Sequence, residues 1–172
     1  MEIDTKAVRG LRDSLIAQGR FSPDARSESA SRRLPAEERE AIVNRVAPFV
    51  ETMYLMIMAD HEDVESEWDA VRGAIRVFTE GLLDETQIDE MLHRIAQARR
   101  EDGPEARLQY LGVRISAERA DREAAFALAA VAALADDTVV IEENRLLEEM
   151  ADSYGISKAR RNSILQELGT GL

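Results

Sequence analysis

The stretch that most constrains this chain is Ala124–Ala135, AAFALAAVAALA, in which eight of twelve residues are Ala and none is polar. Ala has the highest intrinsic helix propensity, so the segment reads as a helix. A helix apolar on every side is buried on most sides. Small side chains allow neighbouring helices to approach closely. The segment ends in two adjacent carboxylates, Asp136 and Asp137. The rest of the chain must enclose an apolar rod and accommodate acids at one of its ends.

The surrounding sequence can do this. At 172 residues the chain is long enough for one domain with a real core. Few residues are aromatic, so the core rests on Ala, Leu, Ile, Val and Met. The formal charge of −12 argues against a nucleic-acid backbone as partner, because phosphate binding needs an excess of Lys and Arg. It permits cations, basic partners or simple solubility. The absence of Cys excludes disulfides, thiolate zinc sites and Cys nucleophiles. The start, MEIDTKAVRG, lacks the pattern of a signal peptide. The longest apolar run is well short of the roughly 20 residues that span a bilayer. A cytoplasmic protein that does not span membranes is expected.

Helical spacing recurs along the whole chain. Val8, Leu11, Leu15 and Ile16 define a first amphipathic helix within residues 1–19. Residues 20–34, polar and Ser-rich, read as a flexible linker or long loop. Residues 35–172 form the main helical domain. Its first helix opens at Pro35, with Glu37 and Glu38 suiting the positive end of the helix dipole. Pro48 lies inside that helix, so a bend or short break is expected there. Trp68, Val71, Ile75, Phe78 and Leu82 mark the next helix. Asp84-x-x-Gln87 resembles a capping box. It opens a helix that ends at Asp102-Gly103, and Pro104 begins another. Thr138–Ile141 reads as an extended turn, since no second strand exists to pair with it. Gly155 suits a left-handed cap, and Ser157 caps a last helix. The fold class is all-α, with about eight helices.

A shift of 76 positions aligns the chain with itself. Ala59-Asp60 falls on Ala135-Asp136, Val64 on Val140 and Glu67 on Glu143. Val71 meets Leu147, Phe78 meets Tyr154, Ile88 meets Ile164 and Leu92 meets Leu168. Both copies, about 42–95 and 118–168, read as an apolar helix, A-D-x-x-x-V-x-x-E, and two further helices. Two three-helix units related by a pseudo-twofold axis are expected.

Both copies resemble the TerB-like family of bacterial tellurite-resistance and stress-associated proteins. The resemblance is carried by Ala135-Asp136, Val139, Glu142-Glu143, Leu146-Leu147, Met150 and Gly155-Ile156. In the first copy it is carried by Met58-Ala59-Asp60, Val64, Glu67, Val71 and Ile75. It covers about Ile42–Leu168. The sequence departs from the family where a Gly follows Ala-Asp, carrying His61 in one copy and Asp137 in the other. Asp63 stands at a usually aliphatic position. The resemblance implies an all-helical fold, a divalent-cation site at the acidic turns and a link to tellurite and other stresses. It implies no enzymatic activity.

The candidate metal ligands are therefore Asp60, His61, Asp63, Glu67, Asp136, Asp137 and Glu143. If the two central helices run side by side, the acidic turns converge; if they are antiparallel, the turns lie at opposite ends. Like charges about 4 Å apart repel by roughly 1 kcal/mol in water, and a hard cation relieves that repulsion. Oxygen ligands suit Mg²⁺, Ca²⁺ or Mn²⁺, and His61 would shift the preference toward Mn²⁺ or Zn²⁺. The turns are not EF-hands: counting from Asp60, the bend position holds Glu65 instead of Gly. The competing reading is that these acids cap helix N-termini and offset dipoles. For Asp60 and Asp136, which follow a helix, the dipole disfavours an anion, so an Arg or a backbone N–H should hold them. His93 and Trp68 read as a surface and a packing residue respectively.

Three functions follow, in decreasing order of support. The first is a non-enzymatic TerB-like stress protein binding a divalent cation. The second is an acidic helical interaction module without metal, docking a protein partner or a second copy. The third is a metal-dependent hydrolase using His61.

Overall fold

The computed structural model describes residues 4–17, 35–59, 65–79, 83–115, 117–134 and 141–169. These residues form eight α-helices: α1 (Thr5–Ala17), α2 (Ala36–Ile57), α3 (Glu65–Thr79), α4 (Glu85–Asp102), α5 (Pro104–Ile115), α6 (Arg119–Ala133), α7 (Ile141–Ser153) and α8 (Lys158–Gly169). The all-α expectation holds.

Local chemistry sets the helix ends. Asp4 Oδ1 accepts from the N–H groups of Lys6 and Ala7 and caps α1. At α4, Asp84 Oδ1 accepts from Gln87 N and Gln87 Oε1 from Asp84 N, both at 3.0 Å, completing the capping box. Gly103 ends α4 at φ 83°, and Pro104 opens α5 directly afterwards. α7 ends in a Schellman motif. Ile156 N donates to Ala151 O at 2.8 Å and Gly155 N to Asp152 O at 3.1 Å, with Gly155 at φ 64°. Ser157 Oγ then accepts from Arg160 N and caps α8. Ile141 is the first residue of α7 and is exposed, while Thr138–Val140 lie outside the described residues.

Of the bend or short break expected at Pro48, the break does not occur: α2 runs uninterrupted through it. Proline lacks the N–H that would bond the carbonyl of Asn44, four residues back. Arg114 of α5 donates to that carbonyl instead, Nη2 to O at 3.3 Å. The freed acceptor is satisfied from outside the helix.

Contacts between helices fix their directions. The Tyr54 and Trp68 ring centroids lie 5.7 Å apart and those of Phe49 and Phe78 5.6 Å apart, so α3 returns antiparallel to α2. Arg99 reaches the Met58 carbonyl while Asp84 and Gln87 lie beside Arg39, so α4 runs with α2. Arg107 meets Glu51 and Arg114 meets Asn44, so α5 comes back. Asp121, early in α6, shares a depression with Arg45, Pro48 and Phe49. The α2–α6 pair is the largest helix contact. The fully buried span of α6, Ala124–Ala133, therefore lies along the fully buried span of α2, Pro48–Met58, and the two run in one direction. Tyr154 contacts Thr52 at the far end of α7, which returns along α6. Arg160 meets Glu123, so α8 runs with α6.

One core holds these helices together. Tyr54, Phe78, Met91, Leu92, Leu111, Phe126 and Tyr154 are among its largest enclosed side chains. Full burial of such an apolar side chain contributes about 1.5–3 kcal/mol. α1 joins the same core through Val8 and Leu15, packing on α3 and α6. Three pairs of positions equated by the 76-residue shift are buried in both halves, Val71 and Leu147, Phe78 and Tyr154, and Ile88 and Ile164, whereas of Leu92 and Leu168 only Leu92 is fully buried.

Candidate functional site

α2 is capped at its C-terminus by Met58, whose N–H donates to Tyr54 O at 3.0 Å, and α6 by Leu134, whose N–H donates to Ala130 O at 2.9 Å. Because α2 and α6 run in one direction, both helices end at the same end of the bundle. The acidic stretches follow these ends in the sequence.

Of the candidate ligands, Asp60, His61, Asp63, Asp136 and Asp137 lie outside the described residues. Glu67 belongs to the first turn of α3, where only its backbone is described. Glu143 sits in the first turn of α7 and is partly buried. Among the described residues, no group of three or more His, Asp or Glu is arranged to hold a metal ion. The donor chemistry of the seven, six carboxylates and one imidazole, fits a hard divalent cation.

The end of α2 carries a protein cation. Arg99 Nη2 donates to Met58 O at 2.8 Å. A helix C-terminus carries partial negative charge and unpaired carbonyls, and a guanidinium answers both. Asp60, for which an Arg or backbone N–H partner is expected, lies outside the described residues.

A second polar cluster lies inside the bundle, outside the site residues singled out from the sequence. Glu51 and Thr52 of α2 are buried. Arg107 grips Glu51 with two hydrogen bonds, Nε to Oε1 at 2.6 Å and Nη2 to Oε2 at 2.9 Å. Its Nη1 reaches Asp102 at 3.2 Å, and its guanidinium lies 4.4 Å from the centre of the Tyr110 ring. The hydrogen bond to Glu51 raises the Arg107 pKa above its usual value, against the opposing effect of burial. Thr52 Oγ1 donates to Pro48 O at 2.8 Å. Its only proton is thereby used, so Tyr154 is the donor in the 2.6 Å contact between Tyr154 Oη and Thr52 Oγ1. Burial pushes the Tyr154 phenol far above its usual range, which the Thr52 contact opposes and the Glu51 charge reinforces. Tyr154 therefore stays protonated as a donor. Both Glu51 oxygens are occupied, so the cluster ties α2 to α5 and to the end of α7. The sequence signal for it is Glu51-Thr52 interrupting an otherwise apolar run.

His93 is exposed, with Nδ1 2.8 Å from Asp89 O, and its ring lies 6.1 Å from Trp68. Trp68 packs against the core. Both match their expected roles. Among the described residues, no helix is long and apolar enough to cross a membrane.

Compared with protein-family models, curated proteins and solved structures, the chain has no match.

Proposed function

We propose that this chain is a non-enzymatic, TerB-like stress-response protein that binds a divalent cation through the acidic stretches after α2 and α6. The observation carrying this reading is that α2 and α6 pack along each other in one direction and end at the same end of the bundle. The chain therefore enters both acidic stretches from neighbouring helix ends. Burial of the equated positions Val71 and Leu147, and of Phe78 and Tyr154, supports the repeat on which the resemblance rests. Asp60, Asp63, Glu67, Asp136, Asp137 and Glu143 would supply oxygen ligands and His61 a nitrogen.

The alternative is an acidic helical interaction module without metal, docking a protein partner or second copy. Arg99 favours it, since its guanidinium already offsets the negative end of α2.

Thermal melting of chelator-treated protein separates the two readings. A cation at 100 times its Kd stabilises by about 2.7 kcal/mol, a Tm rise of about 5–10 °C for a chain of this size. Ca²⁺, Mg²⁺, Mn²⁺ or Zn²⁺ should produce that rise, and Asp60→Asn with Asp136→Asn should abolish it. The absence of a shift with every ion leaves the interaction module. Arg99→Gln should strengthen cation binding by removing the competing charge.

A further inference from the structure

A groove of about 250 Å³ lies between α2, α4 and α5. Its apolar floor includes Val43, Ala47, Met91 and Ile95, and its walls carry Arg94, Arg107, Arg114 and the Tyr110 ring. Three guanidinium groups face one carboxylate, Glu51, in a chain whose formal charge is −12.

The three arginines differ in how they are held. Arg107 is bound to Glu51 and Asp102. Arg114 donates to Tyr110 Oη at 2.7 Å and to the Asn44 carbonyl, and Arg94 Nε to the Glu90 carbonyl at 3.3 Å. Among the described residues, neither Arg94 nor Arg114 forms an ion pair with a carboxylate. Two guanidinium groups with no carboxylate at ion-pair distance thus flank the apolar floor.

The geometry points to a binding site for a small organic monoanion: a flat apolar body carrying one carboxylate. The body would cover Val43 and Ala47, the half-buried residues of the floor, which Met91 and Ile95 close from beneath. The carboxylate would take charge-assisted hydrogen bonds from Arg94 and Arg114. The surroundings exclude a long acidic peptide. The adjoining depression toward Arg39 contains Glu40, Asp84 and Glu90, so an extended acidic chain would meet like charges on that side. Inorganic phosphate would leave the apolar floor unused.

Calorimetric titration of the full chain with 2-naphthoate tests the site. Saturable one-to-one binding is expected, weakened by about tenfold or more in Arg94→Gln and in Arg114→Gln, since a hydrogen bond to a charged group is worth about that factor. Neutral 2-naphthamide should bind about tenfold more weakly, and inorganic phosphate should not compete. Arg94 holds no other helix in place, so Arg94→Gln remains informative if Arg114→Gln unfolds. The proposal is overturned by no saturable binding, by unchanged affinity in Arg94→Gln, by equal affinity for the amide, or by competition from phosphate.

Discussion

Arg114 Nη2 lies 3.3 Å from the carbonyl oxygen of Asn44, the acceptor that Pro48 leaves without its helical donor. A side chain of α5 thus completes the backbone bonding of α2. If that is its role, the two residues are energetically coupled. Arg114→Ala should destabilise the parent by about 1 kcal/mol. It should cost measurably less in a Pro48→Ala background, where the substituted alanine restores the N–H. A double-mutant cycle from urea unfolding midpoints gives the coupling; a value of zero would mean that water serves Asn44 equally well.

Gly112 is required by a close crossing. A Cβ at this position would lie 2.4 Å from the Ser153 carbonyl oxygen, so α5 and α7 could not keep their separation. Overpacking costs about 1–3 kcal/mol, against a helix-propensity gain of about 1 kcal/mol. Gly112→Ala should therefore destabilise, by up to about 2 kcal/mol. Gly73, in α3, has nothing within 4 Å of its virtual Cβ, so Gly73→Ala should stabilise by up to about 1 kcal/mol. Thermal unfolding of the two variants should move in opposite directions.

The Glu51–Arg107 pair is deeply enclosed, with side chains 6% and 15% exposed. Removing one partner of a buried pair costs about 3–5 kcal/mol. Arg107 keeps Asp102, so Glu51→Ala should fall near the lower end of that range. Replacing both, as Glu51→Leu with Arg107→Met, should recover most of the loss, because apolar side chains can fill the space without a desolvation cost. Chemical denaturation of the single and double variants checks the ordering.

Acid sensitivity should trace to Glu123. Burial alone would push its carboxyl up, but hydrogen bonds from Arg160 and Arg119 outweigh burial and hold it below the usual range. The folded pKa is depressed, so the stabilisation is present above the unfolded value of about 4.3 and is lost as pH falls through the folded value. Between pH 6 and pH 3 (on the order of the carboxylate range) the parent should lose stability more steeply than Glu123→Gln. Parallel slopes in urea midpoints would remove Glu123 from the explanation.

Much of the fold is legible because helix punctuation is local. Asp84 and Gln87, Gly103 and Pro104, Gly155 and Ile156, and Ser157 each act within a few residues, and each does what its chemistry predicts. Pro48 does not break α2 because the missing donor is local but its remedy is not: Arg114 stands 70 positions away. Glu51 escapes notice for the same reason, as its partner Arg107 is 56 positions distant. For the candidate cation site, sequence supplies the residue types and the fold supplies the direction of α2 and α6. Their common direction selects the side-by-side arrangement of helices that the sequence leaves open.

The packing of α6 has a consequence for how this protein can vary. Ala125, Ala129, Ala130 and Ala133 are fully enclosed while facing several different neighbours. Added methyl groups there have no solvent-facing direction in which to grow. Large residues elsewhere, such as Met53 or Met91, can be exchanged for others of similar volume. In this bundle the smallest side chains are the least replaceable, and substitution tolerance should be lowest along the rod that looks chemically plainest.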